Sequence, residues 1–144
     1  MKKIIIFFVI ILICVITIGL RFYSYKAEQE ILAAENQEFE QYTNKEIYGI
    51  DLGSIINKAV DKNTKNNIQK DENNIFIQND TNSIEIEVAM KETDTTYKTV
   101  RMEQIYNKGT ELFIQLFIDI KFKCSKVEYH ESTGKIKYML FEQI

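Results

Sequence analysis

The stretch that decides the architecture is MKKIIIFFVIILICVITIGLRFYSYKAEQEILAAENQEFEQY, residues 1–42. Between Lys3 and Arg21 it holds 17 residues, Ile4 to Leu20, without a charge. A helix rises about 1.5 Å per residue, so this run spans roughly 25 Å, slightly less than a hydrocarbon core of about 30 Å. Phe22, Tyr23 and Tyr25 extend it with the aromatic rings that favour a membrane–water interface, and Arg21 is placed to snorkel outward. Such a run is too long and too apolar for the core helix of so small a domain. It reads as a membrane anchor over residues 4–25, behind a short tip of residues 1–3.

A cleaved signal peptide shares the basic start and the apolar run, but it also needs small residues at a cleavage site soon afterwards. The chain has Arg21-Phe22-Tyr23-Ser24-Tyr25 there, and Ala33-Ala34 lies too far downstream. A lipoprotein site needs a small residue before its cysteine, whereas Ile13 precedes Cys14. An uncleaved, single-pass signal anchor is therefore expected. Lys2, Lys3 and the amino terminus flank one side; Arg21 and Lys26, diluted by Glu28 and Glu30, flank the other. The bias predicts a cytoplasmic N-terminus and a C-terminal domain outside the cell membrane.

Nothing from Phe22 to Tyr42 breaks a helix, and Glu, Gln and Ala abound, so the anchor is expected to continue into water for about 39 residues in all. Residues 26–47 form the predicted helical stalk. Tyr25, Leu32, Phe39 and Tyr42 make a thin apolar seam at near-heptad spacing, on a surface otherwise acidic through Glu28, Glu30, Glu35, Glu38 and Glu40. Two readings stand: a solvated stalk, or a candidate helix-packing seam for a partner protein or for self-assembly.

With 144 residues, one anchor leaves room for one small domain, residues 48–144. Tyr48-Gly49-Ile50 reads as a turn and Asp51 as a helix N-cap. Leu52, Ile55, Ile56, Ala59 and Val60 follow at the spacing of a core-facing helix that fades at Asn63, and residues 62–74 read as an exposed loop. Ile75-Phe76-Ile77 and the alternating Ile84, Ile86 and Val88 predict a hairpin. Val100 to Tyr106 predicts a short helix ending at Gly109. Leu112 to Ile120 fits a helix and a strand equally in its periodicity; a helix over Thr110 to Phe117, giving way to strand near Ile118, is the favoured reading. Phe122 to His130 and Lys135 to Phe141 predict a second hairpin around Glu131-Ser132-Thr133-Gly134. The fold class expected is α+β: a long N-terminal transmembrane and stalk helix, a second helix, and a small antiparallel sheet of about four strands.

All 21 acidic residues and 16 of the 18 basic ones follow Leu20, leaving a domain of about −5. That sign argues against nucleic acid as a partner. Cys14 lies in the anchor and Cys124 stands alone beyond it, so neither an intradomain disulfide nor a cysteine-based metal site is expected. Cys124 and His130 fall on one predicted strand about 20 Å apart, too far for a thiolate–imidazole pair; Cys124 reads as a small core residue and His130 as an exposed turn residue. The loops beginning Asp61, Asp71 and Asp80 lack the glycine and closing glutamate of a calcium loop and read as solvated. No catalytic set, cofactor or metal site is expected, and no enzyme.

An apolar N-terminal segment continuing into a long helix before a small sheet-bearing domain resembles the architecture of type IV pilins and pseudopilins. Their cleavage motif is missing, since no Gly precedes Ile4 and no acid lies within Ile4 to Leu20. Tyr48-Gly49-Ile50-Asp51-Leu52-Gly53-Ser54-Ile55-Ile56-Asn57-Lys58-Ala59, with Phe122-Lys123-Cys124 and Tyr129-His130-Glu131-Ser132-Thr133-Gly134-Lys135, resembles small uncharacterised membrane-anchored proteins of clostridia-like bacteria, a likeness that implies no activity. The function expected is a non-catalytic, membrane-anchored interaction or assembly subunit at the cell surface, pilin-like in layout. The alternative is an extracytoplasmic ligand- or ion-sensing domain of a membrane complex.

Overall fold

Helix-forming residues without a break give a helix without a break: α1 runs Lys2–Glu40, 39 residues. The structure, a computed structural model, describes residues 2–93 and 95–144. The chain divides into two units, one ending at Glu35 and one spanning Asn36–Ile144. In the first, α1 is long and apolar enough to cross a membrane; the mean hydropathy of its most apolar window is 3.0, and none of that window is buried.

The second unit begins with the last turn of α1, earlier than the Tyr48 boundary suggested by composition. Its further elements are β1 (Glu46–Tyr48), α2 (Gly49–Lys65), β2 (Glu85–Lys91), β3 (Tyr97–Arg101), α3 (Met102–Lys108), α4 (Thr110–Phe117), β4 (Lys121–Tyr129) and β5 (Ile136–Gln143). Leu52, Ile55, Ile56, Ala59 and Val60 line the buried face of α2, as their spacing requires. The α2–α4 contact is backbone-close: any Cβ on Gly49 would collide with the carbonyl of Phe117, and one on Gly53 would lie 2.5 Å from Ile114 Cγ1. Gly49 thus serves close approach and opens the helix instead of forming a turn. Asp51 is accordingly not the N-cap; it stands in the first turn, where its carboxylate accepts the Tyr48 N–H at 3.3 Å.

Among the described residues the strands form one sheet in the order β1-β4-β5-β2-β3. β2 and β5 run parallel and the other neighbours antiparallel. The sheet is therefore mixed and five-stranded, not antiparallel with four. Strands as short as β1 carry no period, and β3 offers only Val100 as an inward apolar residue, so neither registers as a strand in sequence. In β2, Ile86 and Val88 face the core and Glu85 and Glu87 the other side. They meet Phe122, Met139 and Phe141 from the sheet, and Met102, Ile105 and Phe113 from α3 and α4.

Ile75-Phe76-Ile77 does not pair with β2. It makes one isolated bridge, Lys70 to Phe76, because both edges of β2 are taken by β3 and β5. Phe76 instead plugs the core at 2% exposure. The short helix starts at Met102, not Val100, which belongs to β3, and β4 starts at Lys121 after a turn at Ile118. Gly134 adopts φ 68° in the β4–β5 turn, the left-handed conformation its hairpin position calls for.

Two buried asparagines fix the parallel pair. Asn63, on α2 and fully buried, donates from Nδ2 to Ile84 O at 2.7 Å and accepts the Ile84 N–H at 2.8 Å, just before β2. Asn36, on α1, donates to Gly134 O at 2.9 Å and accepts the Ile136 N–H at 3.0 Å, at the start of β5. Each amide completes the backbone hydrogen bonding of a strand end that the sheet leaves open. Residues 62–65 are thus the last turn of α2, not loop, and Asn63 is a structural clamp.

Candidate functional site

The four seam residues do not share one environment. Tyr25 is 60% exposed, and Leu32 is partly exposed. Phe39 is 1% exposed inside the chain's own core, and Tyr42 packs against that core. Near it, Glu40 Oε1 accepts the Tyr129 hydroxyl at 3.0 Å. The heptad spacing of Phe39 and Tyr42 therefore has an intrachain cause: the end of α1 closes over the sheet.

His130 is 2% exposed, not an exposed turn residue. Its Nε2 lies 2.8 Å from Ser83 O, so that nitrogen carries the proton and donates. The ring ties the β4–β5 turn to the segment leading into β2. Ser132 Oγ donates to Asp80 O, and Thr133 Oγ1 to Thr81 O at 2.7 Å, along the same seam. Cys124 is buried, as expected of a core residue, and burial pushes its thiol above the usual range. A nucleophile needs the thiolate, so this environment opposes the chemistry. The asparagine loop is organised by Asn79, whose Oδ1 accepts the N–H groups of Thr81, Asn82 and Ser83 at 2.9–3.0 Å. Among the described residues no three His, Cys, Asp or Glu side chains are grouped to hold a metal ion.

On the sheet face opposite the helices, Arg101 lies 2.8 Å from Glu85 and 3.4 Å from Glu103. Glu103 is 2% exposed and its other oxygen accepts the Phe76 N–H at 3.3 Å. Burial is the largest influence on Glu85 and pushes its carboxyl above the ordinary carboxylate range, against the pull of Arg101. Beside it the Tyr138 hydroxyl donates to Glu87 Oε2 at 2.7 Å; burial and then this bond raise its acidity constant far above that of a free phenol. The arrangement satisfies charge within the fold, and fastens Phe76 to β3 and α3.

A different surface is left unsatisfied. The helices do not cover the β3 end of the sheet, where Met90 and Val100 are only half-buried. With Ile105 and Phe113 they floor a groove of about 240 Å³ between β3, α3 and α4. Leu112 and Leu116 on α4 line it while remaining 51% and 67% exposed, and Lys98 and Lys108 stand among its lining residues. Sequence reasoning missed this groove, because it took the exposed leucines of α4 for core. The signal was there: Leu112 and Phe113, Leu116 and Phe117 make an apolar stripe wider than one helix face of a two-turn helix can bury. Comparison with protein-family models, with curated proteins and with solved structures gave no match for the chain.

Proposed function

We propose that this protein is a single-pass membrane-anchored interaction or assembly subunit, pilin-like in layout, whose folded unit is held outside the cell membrane and acts by binding and not by catalysis. One observation carries the reading. From Ile4 to Leu20, 14 large apolar side chains project from α1 at 42–70% exposure. At about 1.5 kcal/mol each, leaving them in water costs on the order of 20 kcal/mol, more than a domain's whole stability of about 5–15 kcal/mol. A bilayer removes that cost, and Lys2 and Lys3 favour the cytoplasmic side for the N-terminus. The burial of Phe39 and Tyr42 moves the candidate binding surface away from the seam, of which Tyr25 and Leu32 remain, and toward the groove on the folded unit.

The test is a mild crosslink and pull-down of the tagged full-length protein from its own membranes, read by mass spectrometry. Recovery in the membrane fraction, in a ladder with itself or with a reproducible partner, is the expected result. A chain that appears in the soluble fraction, or in membranes with nothing attached across crosslinker lengths, overturns the proposal.

A further inference from the structure

We infer that the groove between β3, α3 and α4 is a docking site for an acidic amphipathic helix of a partner protein. The inference rests on the interaction-subunit reading above and names the chemistry of the partner. Three features converge on that occupant. The floor is apolar, and two leucines flank it in the open, at 51% and 67% exposure for Leu112 and Leu116. The volume of about 240 Å³ falls below the roughly 300–1,000 Å³ of sites that swallow a whole small molecule. It suits a few anchor side chains, presented at the i, i+3, i+4 spacing of a helix laid in a groove. The charge is the third feature. None of the eleven lining residues is acidic, and Lys98 and Lys108 are both cationic, on a domain whose net charge is about −5. A basic-rimmed apolar strip on an acidic body selects carboxylates flanking apolar anchors, and repels the same segment carrying lysines.

The probe is a fluorescein-labelled peptide of about 18 residues, roughly five helical turns, with leucines on one face and glutamates flanking them. It is titrated by anisotropy against the full chain in detergent micelles, beside a copy with every Glu replaced by Lys and a peptide of residues 22–40 of this chain. Saturable binding of the acidic peptide is expected, weakened about tenfold or more by Leu116→Glu and by Lys98→Glu with Lys108→Glu, and absent for the lysine peptide. All three positions are exposed, so the variants keep the fold; circular dichroism checks this. Equal binding of both designed peptides, indifference to the substitutions, or no saturation overturns the inference. Tighter binding of the 22–40 peptide overturns it in favour of a second copy. A Leu116→Cys variant carrying an environment-sensitive dye, in phosphatidylglycerol and phosphatidylcholine nanodiscs, reports the lipid alternative: a blue shift confined to phosphatidylglycerol, without peptide, means the face lies on membrane. Micelle titration reads the groove even if the chain is absent from cell membranes, so failure of the anchor reading and failure of this one are distinguishable.

Discussion

Truncating Asn63 to Ala removes both hydrogen bonds that this side chain makes to Ile84, at 2.7 and 2.8 Å, and leaves an N–H and a C=O in the core. Each buried group stripped of its partner costs about 1–3 kcal/mol, so the pair predicts a loss of about 2–6 kcal/mol. At full burial there is little room for water to replace the amide, which favours about 3–4 kcal/mol. A domain this size has about 5–15 kcal/mol in total, and each kcal/mol lowers the melting temperature by roughly 4–8 °C. The expected shift is about 12–30 °C. Asn66→Ala is the control: its amide makes one half-buried bond, to Asn82 O at 2.9 Å, worth about 1 kcal/mol. Urea unfolding of the full chain in micelles, followed by tyrosine fluorescence, gives both numbers; the chain has no tryptophan. An Asn63→Ala midpoint within about 1 kcal/mol of the parent, or equal to that of Asn66→Ala, refutes the claim that this amide completes the β2 backbone.

Other outcomes follow from the same geometry. Phe39→Ala should cost about 3–5 kcal/mol by urea melting, whereas Tyr25→Ala should leave the midpoint unchanged, because only the first is buried. A membrane-impermeant maleimide should leave Cys124 unlabelled in the native chain and label it in urea, since the thiol is buried and its ionisation suppressed; rapid native labelling would show the core open there. In intact vesicles Cys14 should resist the same reagent although it is exposed on the bare helix, and labelling there would place the anchor in water. Glu85 binds its proton more tightly folded than unfolded, because its carboxyl is raised. The folded state thus holds more protons above the unfolded carboxyl value, and its stability falls as pH rises through that window. Glu85→Gln removes this loss, so its midpoint relative to the parent should climb from pH 4 to pH 7; a pH-independent difference refutes the assignment.

The fold was legible where one period dominated. Leu52 to Val60 named the buried face of α2, and the unbroken composition through Glu40 named the length of α1. Leu112 to Ile120 was legible only in part: both periods fit, and the helical one held because Gly109, at φ 100°, starts α4 and Gly53 lets it approach α2. β3 was illegible, for an edge strand buries one face over part of its length and Lys98 and Thr99 read as loop. The parallel pairing of β2 with β5 lies in no local pattern, since it depends on a crossover through β3, α3, α4 and β4.

Polar residues inside apolar patterns were the signal most easily misread. Asn63 looked like the point where a helix fades, and His130 like a turn residue, because polarity alone suggests solvent. Both are buried, and both spend their hydrogen bonds on the backbone leading into β2: Asn63 on Ile84, and His130 on Ser83 O at 2.8 Å. Asn36 does the same for β5 from the end of α1. Parallel strands in mid-sheet begin without a tight turn to close their ends, so something else must satisfy those backbone groups. Here two helix asparagines and one histidine do so. This also explains why the folded unit begins at Asn36: the last turn of α1 supplies Phe39 to the core and Asn36 to β5, and a truncation at Tyr48 would remove both.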